Sequence, residues 1–243
     1  MSIEKKENIQ QATMDYSQFY LINDKDLRDA VIVDFVEDFD DWEVTTGERI
    51  LPEHTLCYPC MGRTYYDVIV PSRVCPFVVS GKIIDALTEN NITGWKATSV
   101  RIAGKEDLRY YVLMITGRCG PVDYTKSERI IQKSPGGIDC PYLRGLYFDL
   151  DSWDGSDFFM AEDVGFIFTT EKVKKLLVRI KSRNVSFERI TDFTGIPFAL
   201  PEEHLSCVLQ GEGDKWSDLV RTIEARAKQE RQRYKFSVNG EKP

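Results

Sequence analysis

Histidine is almost missing from this chain, which holds only His54 and His204. Metal-dependent hydrolysis and histidine-based nucleophilic catalysis therefore have few parts to work with. Glycine-rich phosphate loops are missing too: no G-x-x-x-x-G-K-[ST], G-x-G-x-x-G or G-x-S-x-G string occurs. No apolar run approaches the roughly 20 residues that cross a bilayer, and the N-terminal MSIEKKENIQQATMDY has no continuous apolar region. A soluble, unexported, cytoplasmic protein is the expectation. Six cysteines are too sparse for a disulfide scaffold and would stay thiols in a cytoplasm. Positive charge is short as well, with 32 basic residues against 39 acidic ones and a net charge of −7. That balance argues against nucleic acid or an anionic membrane as partner and suits a basic one.

What the chain does have is an ordinary globular composition, 42% hydrophobic and 29% charged over 243 residues, so a sizeable core can form. Its organising stretch runs from Arg144 to Ile190. There Gly145–Leu150 and Gly165–Phe168 have strand character, and Ser152–Asp157 between them is dense in turn formers. Thr170 can cap a helix, with Glu171 in its first turn. Val173, Leu176, Leu177 and Ile180 then recur at helical spacing among lysines and arginines, Asn184 stops the helix, and Val185–Arg189 alternates as a strand. The same order of parts occurs about ninety residues earlier: Phe77–Val79, a Ser80 cap, Lys82, a Leu87-containing face, Asn90-Asn91 and an outgoing strand at Trp95. An internal repeat and two independent uses of a common unit both fit that pattern.

Residues 1–17 are polar and read as disordered or loosely attached. Strands are expected at Phe19–Ile22, Ala30–Val36 and Tyr65–Val70, and a hairpin at Trp95–Ile102 with Arg109–Thr116. Arg49–Arg63 looks irregular around Pro52, Pro59 and Gly62. Residues 117–144 read as a long crossing with a short helical candidate at Ser127–Gln132. Residues 18–200 are expected to form one α+β domain, followed over 201–243 by a connector and a C-terminal helix capped by Asp214. The expected fold is α+β: a mostly antiparallel sheet with two strand-cap-helix-strand units and that C-terminal helix.

No catalytic residue, cofactor or metal site is expected. Cys57-Tyr-Pro-Cys60 is followed by Met61–Tyr66, which does not begin a helix, so it lacks the setting of a redox pair. His54, Cys57, Cys60 and Cys75 could close a zinc tetrahedron, but no second CxxC accompanies them and ordinary thiols are the preferred reading. Asp149, Asp151, Asp154 and Asp157 are out of register for a calcium loop. A hydrolase using Asp and Glu carboxylates stays open as an alternative, as does a structural zinc protein. Phe39, Asp40, Asp41 and Trp42 lie in the most acidic window. That window reads first as a solvated loop with its aromatics tucked into the core, and second as a partner-binding patch. Trp153, Asp154, Gly155 and Asp157 read as an architectural turn, with aspartates bonding backbone amides and glycine supplying a positive φ.

The ordered segments Tyr66–Ile69, Val79–Lys82, Tyr110–Leu113, Asp123 with Ser127-Glu128, Arg144–Leu146, Trp153–Phe159 and Ile167–Lys174 resemble a class of bacterial immunity proteins. These are encoded beside polymorphic toxins, with relatives first seen in myxobacteria. The likeness covers residues 65–193, and W-D-G-S-D-F-F is its most specific piece. The first 60 residues and the last 45 lie outside it, and a second CxxC found in neighbouring families is missing. The resemblance implies a cytoplasmic protein that binds and neutralises a cognate toxin domain without turnover of its own.

Overall fold

The computed structural model describes residues 15–195 other than 26, 72–75, 134–138 and 163. Cys75, the connector after 200 and the helix expected from Asp214 lie outside the described residues. In chain order the elements are β1 (Phe19–Asn23), β2 (Ile32–Phe35), α1 (Asp41–Thr45), β3 (Thr55–Met61), β4 (Val68–Ile69) and β5 (Val78–Ser80). Next come α2 (Gly81–Glu89), β6 (Trp95–Ile102), β7 (Tyr110–Ile115), β8 (Gly117–Cys119), β9 (Glu128–Lys133) and β10 (Asp139–Arg144). The last are β11 (Phe158–Ala161), β12 (Ile167–Thr170), α3 (Glu171–Arg179), β13 (Ser186–Arg189) and β14 (Thr194–Gly195). The architecture is α+β, with strands in mixed sheets and few helices.

A six-stranded sheet has the order β2-β3-β6-β7-β5-β4 and a five-stranded sheet the order β13-β1-β12-β11-β8, while β14-β10-β9 form a small third sheet. An isolated bridge from Val33 to Pro71 returns the β2 edge toward the end of β4, so the six-stranded sheet curls on itself. Alternation along β7 then divides the core. Val112 and Met114 face an inner cluster with Val33, Phe35, Cys57 and Ile102, which Phe39, Val44 and Leu51 close from one side. Leu113 and Ile115 face a central cluster shared with α2, α3 and the five-stranded sheet. A third cluster is aromatic, with Phe19, Phe148, Phe159 and Phe168 packed mostly edge to face.

Two units repeat at a constant offset of ninety residues. Val68 pairs with Val79 as Phe158 pairs with Thr169, in antiparallel register. Each hairpin feeds directly into its helix, and both helices bury the same positions: Ile83, Ala86 and Leu87 in α2, and Val173, Leu176 and Leu177 in α3. In the first unit β7 lies between β5 and β6. In the second unit that central place is taken by β1, from the start of the chain, between β12 and β13.

Several expectations need correction. Ser80 and Thr170 stand at the helix N-cap positions but make no side-chain capping bond there. Their hydroxyls donate instead to Asp67 and Asp157. Arg49–Arg63 is not irregular throughout, since β3 runs through Pro59, tolerated where the register slips against β2 between Ile32 and Val33. Ser127–Gln132 is strand rather than helix, because pairing with β10 from Glu128 to Lys133 overrides local preference. Gly145–Leu150 is no regular strand; it contributes one bridge, Phe148 to Val122, and then a single turn of 3-10 helix. Residues 15–17 are attached: Asp15 caps a turn, and the Tyr16 hydroxyl donates to Phe148 O at 2.6 Å. The helix stopped by Asn184 in the sequence reading ends at Arg179, and Asn184 sits in the following turn at positive φ.

Candidate partner-binding face

The segment that closes the curled sheet also builds its most unusual surface. Asp40 accepts the N–H groups of Trp42 at 2.8 Å and Glu43 at 3.1 Å, so its carboxylate starts α1. Phe39 turns inward, its ring 4.9 Å from Phe35 in an edge-on contact, and Val44 is fully buried. Those anchors hold Trp42 at the surface, 39% exposed. Of the four residues singled out in this window, Phe39 lies in the core, Asp40 is taken up by the cap, Asp41 is half-buried and Trp42 is exposed.

Trp42 is not isolated. Among the described residues six large apolar side chains are exposed, and five of them, Val36, Trp42, Ile50, Leu56 and Met61, fall between positions 36 and 61. Val36 N–H donates to Leu56 O, so these two are neighbours across the strands, and Arg49 N–H donates to Glu43 O, bringing Ile50 back beside α1. Between them Glu37, Asp38, Asp40, Glu43, Glu48 and Glu53 are exposed. Residues 36–61 hold seven acidic side chains and one basic one, Arg49, for a formal −6 of the chain's −7. Exposed apolar side chains set among acids make this segment the candidate contact surface. Val36, Ile50, Leu56 and Met61 were not legible as a surface because β3 itself was not.

The two residues of the CxxC string lie on β3, where side chains three apart point to opposite faces. Cys57 is buried, and burial, with Asp34 nearby, pushes its thiol up to about 12, whereas Cys60 is exposed. No group of three or more metal-ligating side chains occurs among the described residues.

Two carboxylates, the half-buried Asp67 and the buried Asp157, each gather several donors. Asp67 accepts the Ser80 hydroxyl at 2.9 Å, Lys82 Nζ at 2.9 Å and the Arg183 N–H at 2.8 Å. Asp157 accepts the Thr170 hydroxyl at 3.0 Å, Lys172 Nζ at 2.9 Å and the Thr93 N–H at 3.0 Å. The four correspondences, 67 with 157, 80 with 170, 82 with 172 and 93 with 183, all keep the offset of ninety. Each aspartate thus ties the start of one helix to the turn that follows the other. Lys82 and Lys172 complete the exchange by donating to Lys181 O and Asn91 O. These are crossed clasps with every strong donor already engaged.

The W-D-G-S-D string sits on one of them. Asp154 accepts the Arg118 N–H and the Ser156 N–H, each at 2.9 Å, and Gly155 has φ +82° in open space. Trp153 donates its indole N–H to Ser156 O and packs edge-on against Phe19, in the aromatic cluster, while Phe158 enters the central one.

No protein-family model matches this chain, and no curated protein matches it.

Proposed function

We propose that this chain is an immunity-type binding protein that neutralises a cognate bacterial toxin domain by direct contact, using the surface of residues 36–61. The observation that carries the reading is the clustering there of five of the six exposed large apolar side chains, interleaved with six exposed acids. Apolar anchors supply affinity in such contacts, and a ring of one charge accelerates encounter with a partner of the opposite charge. The partner is therefore a basic protein face, and the work is done in the cytoplasm without turnover, cofactor or metal. The fold is, more finely, a mostly antiparallel sheet with two strand-helix-strand units that have Ser80 and Thr170 at the helix N-cap positions. The antiparallel pairings of β4 with β5, β5 with β7, β6 with β7, β1 with β12 and β11 with β12 support it.

The test uses the reading frame beside this one, which should encode a large secreted protein with a toxic C-terminal domain. Co-expression of the wild-type chain should abolish that domain's toxicity. Trp42→Ala should weaken binding by roughly 2 kcal/mol or more, as for buried aromatic anchors, with no change in melting temperature. Trp153→Ala should instead lower stability by about 3 kcal/mol, because its half-buried ring packs against Phe19 and Phe159. A neighbour that is not toxic, or full protection by the Trp42→Ala chain, would overturn the proposal.

A further inference from the structure

The last residue of β3 is a methionine, and a bulge decides which way it faces. β2 and β3 pair Phe35 with Cys57, Asp34 with Tyr58 and Val33 with Pro59, and then Ile32 with Met61, so Cys60 has no partner position of its own. One extra residue reverses the alternation beyond it. Val33 and Phe35 are buried on the inner side of the curled sheet, while Ile32, Asp34 and Val36 take the outer side, with Met61, Tyr58 and Leu56 opposite them. Without the bulge Met61 would follow Cys57 to the inner side. With it, Met61 is 66% exposed, more than any other large apolar side chain among the described residues.

Its chemistry sets it apart from its neighbours. Val36, Ile50 and Leu56 are inert hydrocarbon, whereas peroxide oxidises a thioether that has no proton to lose first. The other methionines of the described residues are shielded, with Met114 1% exposed and Met160 fully buried. Met1 and Met14 lie outside the described residues. Cys60, next in the chain, is a poor competitor. Thiols react as thiolates, and partial burial, followed by the charge of Asp34, raises the Cys60 pKa above its ordinary value.

We propose that Met61 is a modification site: hydrogen peroxide converts it to the sulfoxide, and the 36–61 surface then loses its hold on its partner. This rests on the reading of that surface as the one that receives the toxin. The sulfur lone pair attacks one peroxide oxygen, the O–O bond breaks as the S–O bond forms, and the proton on the transferred oxygen passes to the departing hydroxide to give water. Sulfur is oxidised by two electrons and the peroxide is reduced. The product places a polar S–O group in the apolar row of Val36, Leu56 and Met61, where a docked partner strips it of water. A dithiol-dependent methionine sulfoxide reductase reverses the change: the oxygen leaves as water and the two thiols end as a disulfide. Protection by this chain therefore falls under peroxide and returns after it.

The full chain, treated with hydrogen peroxide and then freed of it, tests this by two readouts. Peptide mass spectrometry should place the added oxygen on Met61 and find Met114 and Met160 unmodified. Affinity for the toxic domain encoded beside this chain should drop roughly tenfold, as expected when an apolar contact is replaced by a desolvated polar group, and the reductase with a dithiol should restore it. Met61→Leu is compared with itself before and after peroxide, and its affinity should not move, which separates Met61 from every other oxidisable group. An untreated wild-type chain that does not bind the domain would defeat the reading of the surface and this proposal with it. Where the untreated chain does bind, three results would overturn the Met61 site alone. They are a Met61 that stays unmodified or oxidises no faster than Met114 and Met160, full affinity with Met61 oxidised, and a Met61→Leu chain that loses affinity on treatment.

Discussion

Gly94 and Gly155 both hold positive φ, at +81° and +82°, yet they tolerate change differently. Gly155 faces open space, whereas a Cβ on Gly94 would be driven into Phe158 O and against Ser156. Gly117, without a positive φ, meets the same two residues. The W-D-G-S-D loop is therefore pressed onto two glycines far from it in sequence. Gly155→Ala should cost about 1–2 kcal/mol from the left-handed backbone alone. Gly94→Ala adds a backbone collision and should cost roughly 3 kcal/mol or more. Urea denaturation of the two variants checks the order, and equal losses would mean the loop is not seated as described. The loop's internal chemistry was legible, because Asp-Gly and Ser-Asp are turn formers wherever they stand. Its seat was not, because nothing local marks Gly94 and Gly117 as its floor.

The clasps work at the scale of elements, joining helix starts to helix exits. Burial alone would raise the Asp67 carboxyl. The Arg183 N–H, Lys82 and Ser80 bonds and the Lys82 charge outweigh it and hold the group below its ordinary value. A depressed carboxyl stabilises the fold above its unfolded pKa, about 3.9 for Asp, and that stabilisation is lost as pH falls through the lower folded value. Asp67→Asn should lower the melting temperature at neutral pH and flatten its fall below about pH 4. A variant whose melting temperature parallels the wild type down the acid limb would show that Asp67 contributes nothing through its charge. α2, α3 and the β6–β7 hairpin were readable from the sequence because each declares itself through its own periodicity. β3 and β10 were not, since Pro59 and Pro141 break their patterns, and β9 read as a helix; only cross-strand pairing holds them extended. Asp67 went unnoticed, and Asp157 read as bonding amides within its own turn rather than Thr93, Thr170 and Lys172, for another reason. Asp67 lies 116 residues from Arg183 and Asp157 lies 64 from Thr93, although the interval from each aspartate to its hydroxyl residue, thirteen, is the same in both units.

At the scale of the whole molecule, the borrowed place of β1 sets an order of assembly. The first unit, from Asp67 to Ile115, is contiguous, so its strands and helix can pair as soon as they leave the ribosome. The second cannot. Its central strand is synthesised long before its partners, Ile167–Thr170 and Ser186–Arg189. Phe19, Leu21 and Ile22 must wait, apolar and unpaired, until those partners are made, and closing so long a loop is slow. Pulse-labelled hydrogen exchange during refolding should therefore protect the amides of 95–115 before those of 19–23; simultaneous protection would contradict this order. Until β12 and β13 emerge, the nascent chain carries an exposed sticky strand, which is where a chaperone would be needed.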